Sequence, residues 1–210
     1  MKVIIATPSP YARKVRVVLR EKKINFEEII DNPWNKDTQA INLNPLGKIP
    51  ILLVAGHETL FDSKVIVQYL DFYEPKPPFY PLNTGENISA KLVETVADGI
   101  CDSVVLLFLE NSRNETLRSK NWIKRQEEKI FEGIKYLSSY LDEREYFVGN
   151  YFNIADVCAF CCLEYLDLRF QKLKWRDKYP NLKTYWRIHK GRQSFKETMP
   201  LPQIIEPLED

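Results

Sequence analysis

Ser9, Lys48, Ile49, Pro50, Asp62 and Ser63 are the residues of this 210-residue chain whose types and settings could do chemistry. Ser9 follows the apolar run Val3-Ile4-Ile5-Ala6 and the turn Thr7-Pro8, and Pro10 comes next. That is the order of a strand, a turn, and a helix with serine as its cap and proline in its first position. A hydroxyl there is either a plain cap or a donor to an anion held at the positive end of the helix. Pro50 opens the apolar run Ile51-Leu52-Leu53-Val54. Proline brings no N–H to a sheet, so it must start the strand or lie at an edge. A cis Ile49-Pro50 bond would aim the preceding backbone groups outward, where a peptide ligand could pair with them. Asp62-Ser63 opens a further helix, whose first N–H groups bind a carboxylate well while Asp62 could meet an α-amine. The zwitterionic end of an amino acid suits both halves, and a bare helix cap is equally compatible. Lys48 alone reads as a surface lysine and gains interest only beside Ile49-Pro50.

The elements that must position these residues follow from hydropathy patterning. After the first strand, Val15, Val18 and Leu19 form an apolar stripe among Arg13, Lys14, Arg16 and Arg20, which reads as a helix. Cations in and just beyond a first turn oppose the helix dipole, so Arg13, Lys14 and Arg16 suggest an anion nearby; a solvated basic face or salt bridges to a partner subunit would explain them too. Phe26 to Ile30 reads as a second strand, Asn32-Pro33-Trp34-Asn35 as a loop, and a short helical or irregular piece follows. A hairpin then runs from Ile51 to Leu60 through a tight Ala55-Gly56-His57 turn. The next helix carries Val65, Ile66, Tyr69, Leu70 and Tyr73. The order βαβ(α)ββα predicts an α/β sandwich on a mixed four-stranded sheet.

Glu74 to Pro81 is proline-rich and reads as a semi-rigid linker. We place a first domain at 1–75, a linker at 76–86 and an all-helical second domain at 87–210, with helices near 87–111, 116–142, 154–169 and 180–191. The tail from Met199 to Asp210 is expected to lie irregularly on the surface. At Phe152-Asn153-Ile154-Ala155-Asp156-Val157 a capping box with a hydrophobic staple starts a helix. Asp98 and Asp102 stand four apart on one helix face with Gly99 between them, a local loss that marks either a cleft or close helix approach, or else a solvated acidic edge.

Thirty basic residues against 29 acidic ones leave a formal charge of +1, which gives no electrostatic case for nucleic acid or a membrane surface. No apolar run approaches the roughly 20 residues of a spanning helix, and the amino terminus does not read as a signal peptide. Cys101, Cys158, Cys161 and Cys162 include a CxxC, but two histidines and no second ligand pair argue for buried inert thiols in a reducing cytoplasm rather than a metal site or a disulfide framework.

Taken together, Ser9-Pro10-Tyr11-Ala12-Arg13-Lys14-Val15-Arg16, Asn44-Pro45-Leu46-Gly47-Lys48-Ile49-Pro50, Phe61-Asp62-Ser63 and Gly149 to Asp156 resemble a cytosolic glutathione S-transferase, most similar to the bacterial serine-type members. The resemblance covers nearly the whole chain. It implies a thioredoxin-like amino-terminal domain that binds glutathione as co-substrate, an all-helical domain supplying the electrophile pocket, detoxification chemistry, a homodimer, and no cofactor or metal. By motif match, the serine that activates the thiol falls on Ser9. Ile49, before the cis Pro50, pairs its backbone with the cysteine of glutathione; Lys48 meets the glycine carboxylate; Asp62 and Ser63 hold the γ-glutamyl group. Asp62 stands where many relatives have the longer Glu, and Asn153 replaces the usual Ser or Thr of the capping box. Tyr11, Trp34, Asp98, Asp102 and Phe108 are candidates for the electrophile pocket, with Trp122 and Tyr165 as further aromatics that are equally suited to a core.

A free thiol titrates near about 8.5, so about 3% is ionised at pH 7, and lowering its pKa by about two units takes about 2.7 kcal/mol. A hydroxyl donating to a charged acceptor contributes about 1.5–3 kcal/mol, and a helix N-terminus up to about 2. Ser9 could supply both. Thiol–disulfide exchange would want a cysteine at that position. A glutathione-binding or regulatory protein that keeps the fold without catalysis is the alternative reading.

Overall fold

The computed structural model describes residues 1–56 and 58–203; the turn residue His57 and the last residues of the tail lie outside the described ones. The chain divides into two compact units, Met1–Tyr80 joined by the segment from Arg192, and Pro81–Gly191.

In the first unit, strands β1 (Lys2–Ile5) and β2 (Glu27–Ile30) lie parallel, because helix α1 (Pro10–Glu21) carries the chain back between them. The short helix α2 (Ala40–Leu43) precedes strands β3 (Ile51–Leu53) and β4 (Leu60–Phe61), and helix α3 (Ser63–Tyr73) follows. The sheet order is β2-β1-β3-β4, with β1–β3 and β3–β4 antiparallel. This is the expected thioredoxin-like α/β arrangement. Val3, Ile4, Ile5, Ile51 and Leu52 are buried, so the central strands are apolar on both faces.

Helix α1 is buried nearly all round, its cations included: Arg13 and Lys14 are each 1% exposed. The reason is the chain's end. Residues 192–203, expected from sequence to belong with the helical domain, fold with the first unit through helix α9 (Gln193–Lys196; α4 to α8 belong to the second unit), and within them 199–203 are irregular with Met199 and Leu201 exposed, as expected of the tail. Arg13 donates from Nη2 to the Phe195 carbonyl (3.2 Å) and from Nε to Thr198 Oγ1 (3.3 Å). Arg192 forks onto Glu21 at 3.0 and 2.7 Å, and Arg20 reaches Glu197 at 3.0 Å. Arg16 forks onto Glu28 at 3.0 and 2.9 Å, and Arg20 joins that carboxylate at 2.8 Å. Arg13, Arg16 and Arg20 each thus have partners within the unit, which gives these cations a structural role.

The proline-rich stretch is also less of a linker than its composition suggests. The Asp71 carboxylate accepts the backbone N–H groups of Phe79 (2.9 and 3.0 Å) and Tyr80 (2.7 Å). The Lys22 ammonium meets Asp71 at 2.8 Å and the carbonyls of Glu74 and Pro77 at 2.6 and 2.8 Å. Residues 76–80 are thereby tied to the first unit.

The second unit is helical among its described residues: α4 (Thr84–Ser112), α5 (Lys120–Leu141), α6 (Ile154–Arg169), α7 (Trp175–Lys178) and α8 (Pro180–His189). The first helix starts three residues earlier than the hydropathy pattern predicts, because Asn83 caps it by accepting the Glu86 N–H at 3.1 Å. Helix α6 has the predicted bounds and the predicted capping box: Asn153 Oδ1 accepts from Ala155 N (3.0 Å), and Asp156 Oδ2 from Asn153 N (3.0 Å). Asp156 also takes the Phe147 N–H at 2.9 Å and the Tyr185 hydroxyl at 3.3 Å while fully buried. Helices α4 and α5 pack where Gly133 faces Ile100: a Cβ at Gly133 would stand 2.5 Å from Ile100 Cγ1. Gly99, singled out from sequence as a possible point of close approach, has open space around it.

Candidate active site

Two registers bring the sequence motifs together. Ile4 pairs with Ile51, and Ile51 pairs with Phe61. One step beyond that row lie the carboxyl end of β1, leading to Ser9; Pro50, before β3; and Asp62, after β4. Stretches some 50 residues apart in sequence thus converge on one end of one sheet. Ligands of α/β sheets gather at such ends, outside the carboxyl termini of the parallel strands. A cavity of about 300 Å³ lies to the side, by the end of β2 and the loop after it, lined among others by Ile4, Ile29, Asp31, Asn35 and Gln39, and Ser9, Pro50 and Asp62 do not line it.

Ser9 is half-buried, with extended backbone (φ −67°, ψ 119°), and its Oγ accepts the Ala12 N–H at 3.2 Å. The cap uses an oxygen lone pair. The hydroxyl hydrogen is not spent on it, and that hydrogen is what a thiolate needs. Both readings of Ser9 made from sequence are chemically compatible in one side chain. Tyr11, half-buried, follows in the first turn of the same helix.

The loop before Pro50 is stitched by a residue the sequence reading quoted but gave no role. Asn44 is 2% exposed. Its Nδ2 donates to the Lys48 carbonyl at 2.7 Å, its Oδ1 accepts the Leu46 N–H at 3.0 Å, and its carbonyl accepts the Gly47 N–H at 2.8 Å. Gly47 takes φ +60°, the left-handed region that suits glycine. The signal was available: Asn before Pro with Gly two further on is turn chemistry. This loop presents Lys48, which is exposed, and Ile49, whose side chain packs on the Ile4, Ala40, Ile51 cluster. The Ile49-Pro50 bond is cis.

Asp62 is exposed and adopts φ +68°, ψ 126°, a conformation costly for a residue with a Cβ. Its Oδ1 caps α3 through the Lys64 N–H at 2.8 Å. Ser63, the first residue of the helix, is 5% exposed.

The electrophile-pocket candidates fall in two places. Tyr11 and Trp34 belong to the first unit, Trp34 being 39% exposed in the loop after β2. Asp98, half-buried, Asp102, exposed, and Phe108, half-buried, stand on α4 in the second. Trp122 is 40% exposed, while Tyr165 is buried. Cys101, Cys158, Cys161 and Cys162 are free and buried. Burial pushes the Cys101 thiol up, and neighbouring Cys162 adds to it, so this thiol is unreactive. Among the described residues, no group of three or more His, Cys, Asp or Glu side chains could hold a metal ion, and no helix is long and apolar enough to cross a membrane.

The glutathione S-transferase N-terminal domain family matches residues 8–71, and the C-terminal domain family matches residues 120–186. The uncharacterised GST-like protein YibF of Escherichia coli is 32% identical over 200 residues, 95% of this chain and 98% of its own. Among solved structures, a glutathione S-transferase from Methylobacterium radiotolerans in complex with glutathione sulfonate is 38% identical, with a TM-score of 0.97 over 100% of this chain and 99% of its own. A glutathione transferase family member from Pseudomonas fluorescens with bound S-(propanoic acid)-glutathione is 30% identical, with a TM-score of 0.84 over 96% of this chain and 100% of its own. With the thioredoxin-like sheet, the helical second unit and the converging motifs, these matches mean that the chain belongs to the glutathione S-transferase family of enzymes.

Proposed function

We propose that this protein conjugates the thiolate of glutathione to an apolar electrophile, with the Ser9 hydroxyl donating to the sulfur. The observation that carries the reading is the row Ile4–Ile51–Phe61, which sets the Ser9 turn, Ile49-Pro50 and Asp62-Ser63 at one end of the sheet. A tripeptide bound along that end pairs its cysteine backbone with Ile49, its glycine carboxylate with Lys48, and its γ-glutamyl end with Asp62 and the N–H groups at the start of α3. The thiol then loses its proton to solvent. The sulfur attacks the electrophilic carbon, the new C–S bond forms, and the leaving group departs with its electron pair. The bound S-substituted glutathione of the Pseudomonas relative supports a site that tolerates a group on the sulfur.

Calorimetric titration with glutathione tests the binding half. The wild type is expected to bind, and Ser63→Ala to bind about tenfold more weakly through loss of a hydrogen bond to a charged group. Silence from the wild type would favour a non-catalytic interaction protein with this fold. The four buried thiols support a reducing cytoplasm. Val65, Phe72 and Tyr73, exposed on α3 at 48%, 81% and 58%, support a homodimer with this face covered; light scattering at the mass of one chain would contradict it.

A further inference from the structure

The end of the chain returns, within the first unit, to the turn that carries Ser9. The Thr7 hydroxyl donates to the Leu201 carbonyl at 3.2 Å, across 194 residues of sequence. Beyond the turn, Arg13 donates to Thr198 Oγ1 and to the Phe195 carbonyl while 1% exposed. Thr198 is fully buried; its hydroxyl donates to the Ser194 carbonyl at 2.7 Å and keeps a lone pair for Arg13. The main chain carries both ties to Ser9. The Ser9 N–H donates to the Ala6 carbonyl at 3.1 Å, closing the turn around Thr7, and the Ser9 carbonyl accepts the Arg13 N–H at 3.0 Å. The segment 195–201 thus grips the chain two residues before Ser9 and four after it.

Pro200 and Pro202 flank Leu201. Each fixes its own φ and holds the residue before it extended, so the Leu201 carbonyl is presented with little conformational entropy left to lose. Starting helix α1 does not require this. Pro10 in the first position and the Ser9 cap already do so, and the bond from Thr7 lies outside the helix. What that bond fixes is the approach to Ser9 from β1, and with it the direction of the hydroxyl hydrogen that the cap does not use. A donor stabilises a developing charge well only when it is aimed beforehand, and a connection at the end of a strand is mobile unless something holds it.

We propose that Thr7 and Thr198 are positioning residues: through them the segment 195–201 holds the chain on both sides of Ser9 and aims its hydroxyl at the glutathione sulfur. Both act through Ser9 and not on the ligand. The assignment rests on the reading of Ser9 as the donor to the thiolate. The bonds made and broken are those of the conjugation itself; the grip sets how large a share of the bound thiol is ionised.

The test is ultraviolet titration of bound glutathione, which gives the ionisation constant of its thiol, in the full-length wild type, Thr7→Val, Thr198→Val, Thr198→Ser and Glu197→Gln. Calorimetry with S-methylglutathione, which has no thiol proton to lose, runs beside it. The ionisation constant is expected to fall about two- to tenfold in each valine variant, the scale of one hydrogen bond, and to stay at the wild-type value in Thr198→Ser, which keeps the hydroxyl. Affinity for S-methylglutathione is expected to stay unchanged throughout. Glu197→Gln weakens the tie to Arg20 that the same segment makes away from Ser9, and is expected to leave the ionisation constant alone. Where Thr198→Val does not fold, Thr7→Val, whose bond lies at the surface, carries the comparison. A change smaller than about twofold in a folded valine variant overturns the assignment of that residue and leaves the Ser9 reading standing. An equal fall in Glu197→Gln, or a parallel loss of S-methylglutathione affinity, is what general loosening gives and also overturns it. A wild-type bound thiol that titrates at its free value overturns the Ser9 reading, and the assignment with it.

Discussion

Asp62 combines a cap and a strained backbone in one residue. Its Oδ1 holds the Lys64 N–H, a role that glycine replaces at a cost of only a few tenths of a kcal/mol. Its φ of +68° costs about 1–2 kcal/mol for a residue with a Cβ and nothing for glycine. A residue kept only for folding would therefore be glycine, and a carboxylate there points to a ligand. Asp62→Gly is expected to unfold at the same or a higher temperature, with stability raised by about 1 kcal/mol, while binding glutathione about tenfold more weakly. Calorimetry on the variant checks both halves, and unchanged affinity would reduce Asp62 to a cap. The sequence revealed Asp62 as a cap with a possible second duty because cap chemistry is local. It could not reveal the positive φ, which is imposed by the step from β4 into α3. Asn44 escaped assignment for a similar reason: its neighbours in the turn were readable, but its buried contact with the Lys48 carbonyl exists only once the loop closes.

At the scale of elements, strands and long helices were readable from period alone, and errors arose where one element's partner lies far away in the chain. Arg13, Lys14 and Arg16 suggested a nearby anion because the counterparts of Arg13 and Arg16, Phe195, Thr198 and Glu28, are placed by tertiary folding. The short helices α7 and α9 have too few turns to leave a periodic signal. The glycine that matters to packing is Gly133, which local sequence does not distinguish from Gly99. Gly133→Ala adds a Cβ 2.5 Å from Ile100 Cγ1, and Ile100 is 1% exposed, so overpacking costs about 1–3 kcal/mol, reduced by about 1 kcal/mol of helix propensity. We expect net destabilisation of about 1–2 kcal/mol. On an Ile100→Ala background the obstruction is gone, and the same change is expected to stabilise by about 1 kcal/mol. Denaturant melts of the four proteins give the sign in each background; the same sign in both would refute close packing as the cause.

At the scale of the whole molecule, a near-neutral chain holds paired charges whose effect on stability depends on pH. Burial draws the Glu28 carboxyl up, but the Arg16 fork and the single Arg20 bond outweigh it and hold the group below the usual carboxylate range; Arg192 and Ser194 do the same for Glu21. With the folded pKa below the unfolded one, the unfolded chain takes up the protons first on acidification. These contributions are therefore complete above about pH 4.3, the ordinary glutamate value, and are lost as pH falls through the folded values. Glu28→Gln should be less stable than the wild type at pH 7, and the gap should narrow as pH falls below about 4.3. A gap that persists unchanged in acid would mean that packing, not charge, holds this carboxylate. The fold was readable because four motifs fall at element boundaries in a fixed order. The convergence of Ser9, Pro50 and Asp62 needed the strand registers, which pair residues far apart in sequence.

The account stands on the Ser9 hydroxyl donating to a thiolate, and ultraviolet difference titration of glutathione bound to the enzyme reads that directly. The comparison is between the wild type and Ser9→Gly, which removes the hydroxyl while costing the cap only a few tenths of a kcal/mol. The account predicts a bound thiol with a pKa about two units below the free value of about 8.5 in the wild type, returning most of the way in Ser9→Gly. A bound thiol that titrates at its free value in the wild type, or at the same depressed value in both proteins, would contradict it.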